Sequence, residues 1–179
     1  MRVISGKYRG RNLIAPEGLN TRPTMDRIKE AMFNILGFSL NNKIVLDVFS
    51  GSGALVIEAL SRGARKGIFN DLSKEAIKVI KTNIKNIKLE EPYELFNMDY
   101  NELLENLNQK IDIVILDPPY KMNVYEEILN KLLEKDLLNE DPILVFEMDL
   151  NNPLVEHELF VSKMYKYGNK KLQVLKRKY

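Results

Sequence analysis

A chain of 179 residues with 45% apolar content is the size of one domain and carries enough apolar mass for a sizeable core. It has no cysteine and a single histidine, His157, in a polar stretch that reads as a solvated loop, so disulfide scaffolds, thiolate zinc sites and cysteine nucleophiles are excluded. The net charge of +2 hides a split: residues 1–30 sum to +4, 163–179 to +7 and 31–162 to −9, so a face shared by the two ends would attract a polyanion.

There is no apolar run of about 18 residues to span a bilayer, and Met1–Leu13 is basic and polar where a signal peptide needs an apolar stretch. A soluble cytoplasmic protein without membrane contact is expected. Taken in order, Arg2–Ile14 reads as two short strands around Gly6–Gly10, a β-hairpin arm, and Pro16–Pro23 as an irregular connection. Thr24 is the expected N-cap of a helix over Met25–Leu36, with Ile28, Met32, Ile35 and Leu36 as its apolar stripe and Arg27 and Glu30 facing away from the core.

From Lys43 onward, apolar runs alternate with amphipathic helical patterns, which is the signature of parallel βαβ units. Strands are predicted over Ile44–Val48, Gly67–Asp71, Tyr93–Asn97, Ile111–Leu116 and Ile143–Met148, with helices near Leu55–Ser61, Lys74–Ile87, Tyr100–Leu107 and Val124–Leu133. Leu159–Tyr167 and Lys170–Lys176 alternate around Gly168 and Asn169 as an antiparallel hairpin. The predicted fold is α/β and Rossmann-like: a seven-stranded, mostly parallel sheet with a C-terminal antiparallel hairpin and a small N-terminal hairpin and helix extension. No internal repeat or second-domain linker interrupts it.

Val45-Leu46-Asp47-Val48-Phe49-Ser50-Gly51-Ser52-Gly53-Ala54 sets a glycine-rich turn between the first buried strand and a helix, where a backbone can approach a cofactor closely. A dinucleotide fingerprint needs a third glycine where Val56 stands, and no Lys-Ser/Thr pair follows to make a nucleoside-triphosphate loop. Asp47 suits a cationic amino group better than a pyrophosphate. These departures point to S-adenosylmethionine, which carries an ammonium and a sulfonium and no phosphate. Asp71, after the second strand, is placed to accept from ribose hydroxyls, and Asp99, after the third, from the adenine amine. Phe49, Gly51, Ser52, Gly53, Leu72, Met98 and Asp117 complete the predicted cofactor-binding set.

Asp117-Pro118-Pro119-Tyr120 follows the fourth strand and is the most specific signal in the chain. Two prolines fix the backbone and leave carbonyls free to accept. Asp117 and the Pro118 carbonyl can bind both N–H groups of an exocyclic amine and help its nitrogen become tetrahedral, while Tyr120 stacks on the base. This chemistry needs no metal. The basic ends nominate Arg9, Arg11, Arg22, Lys170, Lys171 and Arg177 as RNA-binding residues, and the helix start with its free N–H donors adds Thr24 and Arg27.

Several stretches together resemble the RsmD family of 16S rRNA guanine-N2 methyltransferases, which are class I methyltransferases. They are Arg2-Val3-Ile4-Ser5-Gly6, Thr21-Arg22-Pro23-Thr24-Met25-Asp26-Arg27-Ile28-Lys29-Glu30, the cofactor loop through Glu58-Ala59-Leu60-Ser61-Arg62-Gly63-Ala64, and Asp117–Tyr120. The resemblance covers essentially the full length. It implies a single methyltransferase domain, with residues 1–40 as an RNA-binding extension and 41–179 as the S-adenosylmethionine-binding core. It also implies methylation of a guanine N2 in 16S rRNA on a partly assembled small subunit, by a monomer. Val56 departs from the family, which usually has glycine there. Two alternatives stand beside this reading: a DNA or RNA adenine-N6 methyltransferase, since the proline motif serves adenine too, and a catalytically inactive RNA-binding assembly factor.

Overall fold

Every residue of β1 (Ile44–Asp47) and β4 (Ile111–Leu116) is buried, as strands covered by helices on both faces must be. The computed structural model describes residues 1–18, 23–119 and 122–179. Around that central pair run β2 (Lys66–Asn70), β3 (Tyr93–Phe96) and β5 (Leu138–Asp149), all parallel, with β6 (Phe160–Tyr167) and β7 (Lys170–Arg177) antiparallel at one edge. The strand order is β3-β2-β1-β4-β5-β7-β6. The helices are α1 (Pro23–Leu36), α2 (Ala54–Ser61), α3 (Lys74–Ile87), α4 (Tyr100–Asn106) and α5 (Tyr125–Glu134).

The period-2 alternation of each strand sends its side chains to two separate cores. Val45, Ile113, Ile115, Val145, Leu172 and Val174 pack with α1, α2 and α3 on one face. Leu46, Val114, Leu116, Leu144, Phe146 and Leu175 pack with α4 and α5 on the other. Helix α3 follows directly from its sequence: Ser73 caps it by accepting from the Ala76 amide at 3.2 Å, and Ala76, Ile77, Ile80, Ile84 and Ile87 form its buried stripe.

Three expectations change in the structure. The N-terminal arm keeps its antiparallel return, with Val3 N donating to Arg11 O at 2.9 Å and Gly10 N to Val3 O at 2.9 Å, but holds only one isolated bridge, Arg2↔Asn12, in place of two strands. Three amides ahead of and within its turn are drawn away to α2: Ile4 N and Ser5 N donate to Glu58 Oε2 and Oε1 at 2.9 and 3.0 Å, and Lys7 N to Ser61 O at 2.8 Å. Gly6 permits this contact, because a Cβ there would lie 1.9 Å from the Ser61 carbonyl oxygen. Second, α1 starts at Pro23, so Thr24 lies inside the first turn and is not its N-cap. Third, β5 begins at Leu138, five residues early, because Leu138 pairs with Ile111 before a register shift carries the ladder to Ile143↔Ile113. The intervening Asn139-Glu140-Asp141-Pro142 breaks the apolar pattern and concealed the strand.

Candidate active site

The chain builds β1, β2 and β3 outward in one direction and β4 and β5 in the other, so the strand order reverses between β1 and β4. In open α/β sheets the crevice outside the carboxyl ends at that reversal is where ligands bind. Asp47 ends β1 there and is fully buried. Its Oδ1 accepts from Phe49 N at 3.2 Å, while Oδ2 has no partner among the described residues. Burial, followed by the charge of Asp117, pushes this carboxyl well above the usual aspartate range. A buried acceptor left open is costly, and this one is suited to a donor or cation from outside.

The glycine turn beyond Asp47 is fixed by two side chains that sequence reading did not single out. Ser50 Oγ donates to Asp47 O at 2.9 Å and accepts from Asn70 N at 3.1 Å. The buried Asn70 amide donates to Val48 O and Met98 O, both at 3.0 Å, and so ties together the chain segments beyond β1 and β3. Its only advance signal was an amide at the end of an apolar run. Gly51 has φ 56°, and a Cβ there would meet nothing within 4 Å, which leaves open space in front of the turn. Gly51 N donates to Asp71 Oδ2 at 2.9 Å, and Ser73 N to Asp71 Oδ1 at 2.9 Å. Gly53, at φ 82°, starts α2 with Phe69 3.0 Å from where a Cβ would sit.

Asp99 caps α4 by accepting from Asn101 N at 2.8 Å, and Phe49 lies beside Tyr100 with ring centroids 6.0 Å apart. Leu72 is 69% exposed, whereas Ser52 and Met98 are half-buried. The predicted cofactor residues from β1, β2 and β3 therefore gather at one edge of the sheet. Val56, in place of the family's usual glycine, is fully buried against Gly67 of β2, where a Cβ would come within 2.4 Å of Val56 Cγ1.

Asp117 follows β4 on the same sheet face as Asp47 and is half-buried. Among the described residues no backbone N–H donates to the Pro118 carbonyl. Pro119 differs from expectation: its carbonyl accepts from Met122 N at 3.1 Å. Tyr120 and Arg22 lie outside the described residues, as does the side chain of Thr24.

Beside Asp117 stands Glu147 of β5, which the sequence reading missed because a lone acid in an apolar strand carries no motif. Leu116 pairs with Phe146, so the two acids occupy neighbouring positions at the ends of β4 and β5. Burial raises both groups, and the charge of Asp117 raises Glu147 further, while Lys170 opposes both shifts.

The predicted RNA contacts separate. Arg9, Arg11 and Arg27 are exposed, and Arg27 borders a cleft of about 430 Å³ whose other walls are Glu30, Ala31, Asn34 and Ile35 of α1 and Tyr167 of β6. The two basic ends of the chain meet at that cleft. The C-terminal cluster is otherwise occupied. Lys170 pairs with Asp149 at 2.7 Å, and the buried Lys171 ammonium donates to the carbonyls of Leu150 and Asn152. Arg177 lies over the Phe160 ring at 5.8 Å. Lys171 is thus a strand fastener, and the exposed cations of this hairpin are Lys163, Lys166, Lys176 and Lys178. Among the described residues no acid or histidine cluster could hold a metal, and no helix is long and apolar enough to cross a membrane.

A strand-order reversal with a glycine turn, acids at successive strand ends and a terminal antiparallel hairpin define a Rossmann-like class I methyltransferase fold. The family model described as "Conserved hypothetical protein 95" matches residues 1–176. The Ribosomal RNA small subunit methyltransferase D of Haemophilus influenzae is 35% identical, over 88% of this chain and 83% of its own. The Bacillus subtilis protein YlbH is 38% identical over 94% of each chain. The solved structure of yhhF from Escherichia coli superposes with a TM-score of 0.89 at 26% identity, covering 99% of this chain and 98% of that one. The chain belongs to this family, the RsmD family.

Proposed function

We propose that this protein methylates the exocyclic N2 amine of a guanine in 16S rRNA, on the assembling small subunit in the cytoplasm, with S-adenosylmethionine as methyl donor. Relatives named for methylation of small-subunit ribosomal RNA support the substrate class. The observation that carries the chemistry is the acceptor pair of the Asp117 carboxylate and the Pro118 carbonyl, which take no donor among the described residues, at the same sheet edge as the unpartnered Asp47 Oδ2.

The residues fit the cofactor: Asp47 offers a buried, unshared oxygen to an ammonium, and the turn at Gly51 leaves room in front of it. Asp71 retains acceptor capacity for ribose hydroxyls beyond its two backbone donors, Asp99 and Met98 would hold the adenine end, and Phe49, Ser52, Gly53 and Leu72 would complete the site. Bound S-adenosylmethionine supplies an electrophilic methyl group. Asp117 and Pro118 accept the two amine N–H groups and hold the nitrogen lone pair out of conjugation. Asp117 stabilises the positive charge that develops on that nitrogen, an interaction that strengthens toward the transition state. Tyr120 stacks on the base, and Arg9, Arg11 and Arg27, with Arg22 and Thr24, hold the RNA backbone.

Mass mapping of small-subunit rRNA methylated by the purified protein identifies the base and atom. In single-turnover assays Asp117→Ala should fall by about 10²–10³, with Asp117→Asn in between, while cofactor affinity stays near wild type. Wild-type single-turnover rates in Asp117→Ala, or a loss of cofactor binding in proportion to activity, would overturn this mechanism.

A further inference from the structure

Glu147 has no assigned task, yet the fold spends effort to position it. Leu116 of β4 pairs with Phe146 of β5, so the next residues along, Asp117 and Glu147, stand side by side at the carboxyl edge. Leu116 and Phe146 both point into the α4/α5 core, so both acids face the other way, toward the face shared with Asp47. The Glu147 main chain is pinned from behind, where the buried Tyr125 hydroxyl donates to its carbonyl at 2.6 Å and the Tyr125 ring packs on Phe146 with centroids 5.4 Å apart.

Among the described residues neither acid forms an ion pair, and the neighbouring Lys170 is taken by Asp149 at 2.7 Å. Asp47, fully buried, adds another carboxylate with an unpartnered oxygen to the same edge. Desolvated carboxylates held together without donors are unfavourable, and a fold that retains them leaves the donors to be supplied by a ligand. The ligand that fits offers N–H groups in a row.

We propose that Glu147 determines base specificity by accepting the N1–H of guanine, while Asp117 and the Pro118 carbonyl accept the adjacent N2 amine. The inference rests on the guanine-N2 reading above and supplies its discriminating residue. Guanine alone among the common bases places a ring N–H beside its exocyclic amine. Adenine and cytosine place a ring acceptor there, whose lone pair faces the Glu147 carboxylate. The charged and titratable groups around Glu147 are Asp117 on β4, Asp47 on β1, Asp149 on its own strand, Lys170 on β7 and Tyr125 on α5.

The test replaces the methylated guanine of a small-subunit rRNA particle with 2,6-diaminopurine, which keeps the N2 amine and turns N1 into an acceptor. Wild-type kcat/KM should favour guanine by about 10-fold or more, in the range expected when a buried polar group is left unpaired, and the preference should grow with rising pH as Glu147 ionises. Glu147→Gln, whose amide can donate to N1, should narrow the preference to within about threefold and flatten its pH dependence. Glu147→Asp should retain a guanine preference. Cofactor binding by each variant reports folding. An equal loss on both bases in Glu147→Gln, with the preference and its pH dependence intact, makes Glu147 structural and overturns the inference. A wild-type protein that methylates no guanine N2 instead overturns the functional reading on which it rests.

Discussion

Glu58 and Asp47 are equally buried acids, both with no exposed surface, and they meet opposite fates. Glu58, in α2, is saturated: Ile4 N, Ser5 N and Arg62 Nε donate to it at 2.9–3.0 Å, and Lys29 Nζ of α1 lies 3.7 Å away and itself donates to Arg2 O at 2.8 Å. It fastens the N-terminal arm and α1 to the helix that follows the glycine turn. Asp47, at the sheet edge, keeps one oxygen unpartnered, and among the described residues neither Asp117 nor Glu147 beside it forms an ion pair. Equal burial with unequal satisfaction distinguishes an acid that holds the fold together from acids reserved for something the fold binds.

The largest expected effect lies on the saturated side. Glu58→Ala strands two buried amides and the Lys29 ammonium, and should cost about 3–5 kcal/mol, with a melting temperature lower by roughly 10 °C. A melting temperature within about 2 °C of wild type would erase the contrast between the two acids. On the open side the sign reverses. Asp47→Asn should raise the stability of the cofactor-free protein by about 1–3 kcal/mol while weakening S-adenosylmethionine binding.

That gain has a direction in pH. The carboxyl of Asp47 is raised in the folded state, so the unfolded chain loses its proton first and stability falls as pH rises from about 4 toward neutrality. The benefit of Asp47→Asn should therefore grow over that interval and vanish below it. Thermal melts at several pH values decide this, and a destabilised Asp47→Asn at neutral pH would show that Oδ2 is not a liability. The smallest effect concerns the cleft where the chain ends meet. Arg27→Ala should weaken rRNA binding and reduce its log–log salt slope by about one, whereas Lys171→Met should leave that slope unchanged, because its ammonium is committed to carbonyls. Equal slope changes in the two variants would place phosphate on both.

Local pattern was enough for the strand–helix alternation, the glycine turn, the strand-end acids and the proline motif. Each is written within a few consecutive residues: Ile111–Leu116 is uniformly apolar, Ser73 caps α3, and Gly51 and Gly53 occupy positive-φ positions. Residues whose role is set by partners distant in the chain could not be read this way. Glu58 meets Ile4 and Ser5 across more than 50 positions, Asn70 meets Met98 across 28, and the early start of β5 depends on Ile111 accepting Leu138 as a neighbour. Lys171 looked like one cation among seven until the strand pairing turned its ammonium inward.

The sequence by itself determined which elements form and where the glycine turn and the Asp-Pro-Pro motif lie, because backbone dihedral preference and hydrophobic period act over neighbouring residues. Tertiary structure alone decided which acids are saturated and which are open, and so placed Glu147 beside Asp117. Strand order and register set those neighbours, and a carboxylate's energy depends on the donors around it rather than on its own position in the chain.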